Sequence, residues 1–205
     1  MIRVGFVSYS ELPDEKQLIA RLGKPAVACL SEGRRGKSRI KALLGGCLLA
    51  AMFPEADLSR LERTETGRPF LRGCPDVDFN LSHTNGMVVC ALETGKKPRV
   101  GVDVERMRGR TIAEMTRIAE RWFTEAESAR FSDDPTERTF LGIWTAKEAA
   151  AKWDGGGLRV LRGIDTAALP LTLRTYFVDD AVITLACARG KERCATIEPV
   201  PCKFP

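Results

Sequence analysis

The chain has 205 residues, 44% hydrophobic and 29% charged, with no low-complexity tract, which excludes a disordered or fibrous protein and supplies one domain of moderate size or two small halves sharing a core. The formal net charge of +5 is unevenly spread: EGRRGKSRIK, residues 32–41, sets Arg34, Arg35, Lys37, Arg39 and Lys41 against Glu32 alone, a concentration suited to nucleic acid, a phosphorylated ligand or an acidic protein. No apolar run is long enough and free enough of glycine to span a bilayer, and MIRVGFVSYS lacks the apolar stretch of a signal peptide, so a cytoplasmic protein is expected.

In chain order, IRVGFVSYS alternates as a strand, and KSRIKALLGGCLLAAMF places Ile40, Leu43, Leu44 and Leu48 at helical spacing behind the basic front. ETGRPFL reads as a turn. VDFNLSHTNGMVVCALE reads as two apolar-rich strands joined by a tight Asn85-Gly86 hairpin, with Ser82 and His83 just before it. TGKKP, residues 94–98, punctuates the chain near its midpoint and gives the boundary between an N-terminal part, 1–98, and a C-terminal part, 99–205. Beyond it come the strand VGVDVER, a helix around TIAEMTRIAERWF, a longer helix through TERTFLGIWTAKEAAAKW with a glycine stop at DGGG, and strands near LTLRTYFV and AVITLACA. Each half is strands plus one long helix, an α+β class with two similar lobes.

Seven cysteines, at 29, 47, 74, 90, 187, 194 and 202, are scattered and never form a CxxC pair, while the single histidine leaves little for a zinc site; reduced thiols are expected. The feature that asks for chemistry is in VGVDVER. Residues two apart on a strand share a face, so Asp103 and Glu105 repel unless a cation stands between them. Arg99, Arg106 and Arg108 could neutralise them, or a magnesium ion could, given a third oxygen ligand. Glu148 in WTAKEAAAK is the candidate, lined up with Trp144 and Lys152 and beside Lys147; an ordinary salt-bridged helix is the alternative, since Glu148 and Lys152 stand in the favourable i, i+4 order. Ser82 could cap a turn, His83 could be structural, and GRP at 67–69 could be only a turn.

Together TGRP, NLSH, GVDVE and WTAKEAAAK, in that order and with RWFTEAE between the last two, resemble the motif set of the Sfp-type 4'-phosphopantetheinyl transferases in their W/KEA variant. The resemblance implies a pseudo-twofold pair of lobes, each a small antiparallel sheet on a long helix, with the ligand in the cleft between them. It implies transfer of the phosphopantetheine arm of coenzyme A to a serine of an apo acyl, polyketide or peptidyl carrier protein, releasing adenosine 3',5'-bisphosphate. Residue by residue, Asp103, Glu105 and Glu148 would hold Mg²⁺, with Mn²⁺ able to substitute, and Lys147 and Lys152 would meet the phosphates. Ser82 and His83 would bind the phosphate part of coenzyme A, and Gly67, Arg68 and Pro69 would border the adenine. Lys41 would help with the 3'-phosphate, as would Arg34. Glu148 is the implied base, with Lys147 as catalytic partner and Glu127 in reserve. Arg68 stands where lysine is frequent, which keeps charge but not geometry.

The resemblance implies a monomer with no nucleic-acid or membrane partner. One rival is a binding module of the same fold that holds coenzyme A or a carrier protein without turnover, against which the joint presence of Asp103, Glu105, Lys147 and Glu148 speaks. The other is a nucleic-acid-binding protein using residues 34–41, which has neither a matching motif nor interleaved aromatic residues.

Overall fold

The computed structural model describes residues 1–191 and 195–201, without the side chains of 157–159; Cys194 and Cys202 lie outside the described residues. β1 (Ile2–Ser8) is followed by three helices, α1 (Glu15–Leu22), α2 (Lys24–Ser31) and α3 (Gly36–Met52). A small hairpin of β2 (Leu61–Arg63) and β3 (Pro69–Leu71) precedes the larger hairpin of β4 (Val77–Thr84) and β5 (Met87–Thr94). Then come β6 (Val100–Arg106), α4 (Ile112–Trp122), α5 (Glu125–Asp133), α6 (Glu137–Asp154), β7 (Leu171–Val178), β8 (Ala181–Ala188) and β9 (Ala195–Pro199).

The strands form a four-stranded sheet in the order β4-β5-β1-β9 and a three-stranded one in the order β6-β8-β7, beside the β2-β3 pair. The Asn85-Gly86 turn joins β4 to β5 with Thr84 opposite Met87, and Gly86 takes the left-handed φ of +77° that such a turn needs. The second sheet is antiparallel throughout. The first is not, because β9 runs parallel to β1 and returns the last described strand of the second half to the sheet of the first.

Alternation along β5 explains the layering. Val88, Cys90 and Leu92 pack with Leu43, Leu44 and Leu48 of α3, together with α1 and α2. Met87, Val89 and Ala91 point the other way and, with Ile2 and Val4, meet Val100, Val102 and Val104 of β6 and Ala181, Ile183, Leu185 and Cys187 of β8. The two sheets thus share one core, with α3 outside one and α6 outside the other. Val182 of β8 packs with Phe140, Leu141 and Ile143 of α6. The glycine stop holds: Gly155 ends α6 at φ +89°.

At the seam, small polar side chains of β4 reach β6 at every second position. Asp78 Oδ2 accepts from Val100 N at 2.8 Å, and Asn80 Oδ1 accepts from Val102 N at 2.9 Å. They give the edge of β6 partners for backbone groups that burial would otherwise strand.

Candidate active site

A cavity of about 300 Å³ opens where the seam meets α3 and α6. α3 supplies its basic wall through Lys41, with Arg34 just before the helix, and its floor through Ala42 and Gly45; β4 adds Leu81, Ser82 and His83. The opposite wall is Asp103 and Glu105 of β6 with Glu148 and Lys152 of α6, and Pro69 stands at the rim.

Packing places the acids there. With Val100, Val102 and Val104 committed to the inter-sheet core, Gly101, Asp103 and Glu105 face the other way, toward α6. Gly101 lets the helix come close: a Cβ at that position would lie 2.1 Å from Ala149 O and 2.6 Å from Trp153 N. Glu148 and Lys152, each one position before these contact residues and one turn apart from each other, are thereby brought over the acidic pair.

Asp103 is buried. Its Oδ1 accepts from Ser82 Oγ at 2.8 Å and from Lys152 Nζ at 2.6 Å, and the same ammonium donates to Ser82 Oγ at 2.9 Å. Its Oδ2 is buried with no hydrogen-bond partner. Glu105 is approached by Arg110 at 3.6 Å, and Arg110 is shared with Glu137 at 2.7 Å. Burial pushes the Glu105 carboxyl above its ordinary value, and the charge of Asp103 adds to this. Glu148 is pushed up to about 7, by burial first and then by Asp103 and Glu105 against the relief from Lys152. At the mouth, partial desolvation and the charges of Lys41, Lys152 and Arg34 hold the His83 imidazole below its ordinary value. The cavity is therefore a site of divided charge, cationic toward α3 and overcharged with carboxylates toward α6.

The family model of the 4'-phosphopantetheinyl transferase superfamily matches residues 99–194, the stretch that carries this acidic wall. A 4'-phosphopantetheinyl transferase of Bacillus subtilis is 31% identical over 65% of this chain. The transferases psf-1 of Bacillus pumilus and Sfp of Bacillus subtilis (strain 168) are 29% and 28% identical over 80% and 72% of it. The second half of this chain, residues 99–194, is thus similar to the 4'-phosphopantetheinyl transferase superfamily. The chain spans 65%, 77% and 73% of the lengths of these three relatives, respectively.

Of the positions that the motifs of this superfamily mark, the structure brings Arg34, Lys41, Pro69, Ser82, His83, Asp103, Glu105, Glu148 and Lys152 to one cavity. It does not bring Lys147, Glu127, Gly67 or Arg68 to its lining. Lys147 is fully buried on another face of α6, where its Nζ donates to Glu127 Oε2 at 2.7 Å and to Ile164 O. Glu127 also accepts from Thr124 N at 2.9 Å, Thr166 N at 3.0 Å and Thr166 Oγ1 at 2.7 Å. This pair is closed on itself. Helical spacing explains the separation, since neighbours on a helix point about 100° apart and only Glu148 of the adjacent two can face β6.

Gly67 shapes its turn with φ +83°, and the Arg68 guanidinium is engaged by Asp78 and backbone carbonyls. Of the arginines beside the acids, Arg108 does draw the Glu105 carboxyl downward, against burial and Asp103, but the other two do other work. Arg106 pairs with Asp180 at 3.2 Å and Arg99 sits on the end of α6, while Arg110 reaches Glu105.

Sequence reasoning missed Arg63, which lines the cavity and binds Cys29 O at 2.6 Å, Gly67 O at 2.6 Å and Leu30 O at 3.2 Å. It joins the end of α2 to the turn at the rim, and no local pattern announces it. It also missed Asp78 and Asn80, which a period-two run of small polar residues in β4 could have flagged.

Proposed function

We propose that the chain is a metal-dependent 4'-phosphopantetheinyl transferase that moves the phosphopantetheine arm of coenzyme A to a serine of an apo acyl, polyketide or peptidyl carrier protein. Similarity to the superfamily over residues 99–194 is one support; the observation that carries the reading is the cavity, with Arg34, Lys41 and His83 facing three crowded carboxylates. In the reaction a P–O bond forms to the serine oxygen, the bridging P–O bond of the pyrophosphate breaks, and adenosine 3',5'-bisphosphate departs while the serine loses its proton. Lys41 and Arg34 suit the 3'-phosphate end, Ser82 and His83 the diphosphate, and Lys152 the charge that builds on the leaving group. Glu148 is the group we assign to take or orient the proton.

Among the described residues, no group of three His, Cys, Asp or Glu side chains is gathered closely enough to hold a metal ion as the side chains stand. The donor set nevertheless fits one. Asp103 Oδ2 is buried without a partner, the Glu148 carboxyl is driven to about 7 by burial and then by its acidic neighbours, and hard oxygen donors suit Mg²⁺ or Mn²⁺. Asp103, Glu105 and Glu148 would hold the ion after modest side-chain rotation. When bound, it supplies charge to gather the phosphates.

The reading includes a two-lobed, pseudo-twofold arrangement divided near residue 98, and a monomer. No helix among the described residues is long and apolar enough to cross a membrane. Cys29, Cys74 and Cys90 carry free thiols, and a reducing, cytoplasmic setting is part of the reading. The test is to incubate the protein with coenzyme A, Mg²⁺ and a panel of apo carrier proteins and weigh the carriers. At least one should gain a phosphopantetheine arm. Tight binding of coenzyme A with no mass gain across a broad panel would favour a binding module.

A further inference from the structure

The last four carbonyls of a helix have no partner within it. At the end of α6 all four are satisfied, and by three different sources. Ala151 O accepts from Gly155 N at 3.0 Å. Arg99 takes Trp153 O at 2.6 Å and also Asp154 O. Lys152 O is taken by Arg68, which comes from the turn at the rim of the cavity. That turn is itself firmly closed, by Thr64 N to Arg68 O at 2.9 Å, Gly67 N to Thr64 O at 2.8 Å and Arg68 N to Thr64 Oγ1 at 3.1 Å.

The rest of the Arg68 guanidinium spans the seam. It donates to Asp78 Oδ2 at 2.6 Å and Phe79 O at 3.1 Å on β4, and to Val100 O at 2.8 Å on β6. With only 15% of its side chain exposed, it has little left for a ligand. The elements it joins are β4, β6 and α6, the same three that supply Ser82, Asp103 and Lys152 to the hydrogen-bonded triple of the site.

We propose that Arg68 is a positioning residue that couples the 64–68 turn to the catalytic end of α6, holding Lys152 over Asp103 and Ser82; this deepens the transferase reading above and rests on it. The resemblance had put Arg68 beside the adenine. The geometry gives it another task, for which a planar fork with five donors is needed and an ammonium on a flexible stem is not a replacement. A residue acting through Lys152 must lose its effect when the Lys152 ammonium is gone.

The experiment is a double-mutant cycle on coenzyme A affinity, measured by calorimetry with Mg²⁺ present, for the parent, Arg68→Lys, Lys152→Ala and the double variant. Arg68→Lys should weaken binding about tenfold in the parent and less than about twofold in the Lys152→Ala background, a coupling of the size seen for groups sharing one network. Equal losses in both backgrounds would overturn the proposal and return Arg68 to direct ligand contact. Arg68→Gln repeats the cycle without the charge, and melting curves identify the folded proteins, so a purely structural loss is separated because it follows stability and not the Lys152 background. Failure of the parent itself to bind coenzyme A would overturn the transferase reading and the coupling with it. Coupling without carrier modification would leave the role of Arg68 standing and would sink only the turnover.

Discussion

The division between Glu148 and Lys147, neighbours on α6 with opposite duties, makes a sharp prediction. Lys147→Met keeps the aliphatic stem and removes the ammonium from a site where the lysine side chain is 0% and the glutamate side chain 3% exposed. Breaking a buried pair by removing one partner costs about 3–5 kcal/mol. Glu127 keeps hydrogen bonds from Thr124 and Thr166, so the lower end applies, and for a chain of this size about 3 kcal/mol is roughly 6–12 °C in Tm. Lys147→Met with Glu127→Gln should regain most of that loss, because no unpaired charge is left buried. Calorimetric melts and urea titrations measure the effect.

The pH dependence has a definite sign. Burial raises the Glu127 carboxyl, but hydrogen bonds from Lys147, Thr124 and Thr166 outweigh it and hold the group below its ordinary value. A carboxyl depressed by folding contributes stability that is complete above its unfolded pKa, about 4, and is lost as pH falls through the lower folded value. The Tm gap between parent and Lys147→Met should be constant from neutral pH to about 5 and close under more acid conditions. Coenzyme A affinity of the folded variant should change less than about threefold, since the ammonium does not reach the cavity. Loss of binding or turnover with an unchanged Tm would refute this reasoning and restore Lys147 to the phosphates.

Gly101→Ala should lower Tm by several degrees and also depress turnover, because its Cβ meets backbone atoms of α6 at 2.1 and 2.6 Å and overpacking of this kind costs about 1–3 kcal/mol or more; a Tm and activity both at parental values would show that α6 does not rest on β6. Asp103→Asn or Glu105→Gln should weaken Mg²⁺ binding with the fold intact, and excess Mg²⁺ should rescue turnover only in part; unchanged metal titrations in both would leave the acids as partners of Lys152 and Arg110. Lys41→Ala and His83→Ala should chiefly raise the apparent KM for coenzyme A, and dephospho-coenzyme A should bind less well to the parent; equal use of the two ligands would remove the 3'-phosphate from that end of the cavity. Glu148→Gln should cut kcat by roughly a hundredfold or more with little change in coenzyme A affinity, whereas Glu127→Gln should act on stability; the reverse pattern would move the base to Glu127.

The sequence carried the strong periodic elements. Alternating valines gave β6, Asn85-Gly86 gave the β4–β5 hairpin, and leucine spacing gave α3. The long apolar-faced run before DGGG gave α6. What it hid were short elements with weak or broken periodicity: α1 and α2, the three-residue strands β2 and β3, and α5. The parallel pairing of β9 with β1 was equally hidden, because partners almost two hundred positions apart leave no local trace. Within the site, the strand periodicity of Asp103 and Glu105 was enough to place them on one face. The helical periodicity of Trp144, Glu148 and Lys152 was enough to place Glu148 with them.

Lys147 and Glu127 mark where that legibility stops. In sequence they look like Lys152 and Asp103, a lysine on α6 and an acid some distance away, and both couples form short ion pairs at 2.7 and 2.6 Å. The difference is in what remains unsatisfied. Both oxygens of Glu127 are occupied and its carboxyl is held below the ordinary value, the condition of an acid that contributes to stability. Asp103 has one buried oxygen without a partner, and the two carboxyls crowded near it, Glu105 and Glu148, are both pushed upward. Lys152 serves Asp103, and Arg110, itself shared with Glu137, only approaches Glu105, so the three acids stay short of positive charge until more arrives, and burying such a set adds nothing to the fold that an apolar set would not. A local deficit of charge inside an otherwise well-satisfied core is the physical signature of a binding site. It depends on which lone pairs are filled, a property of the packed helix and strand that spacing along the chain does not encode.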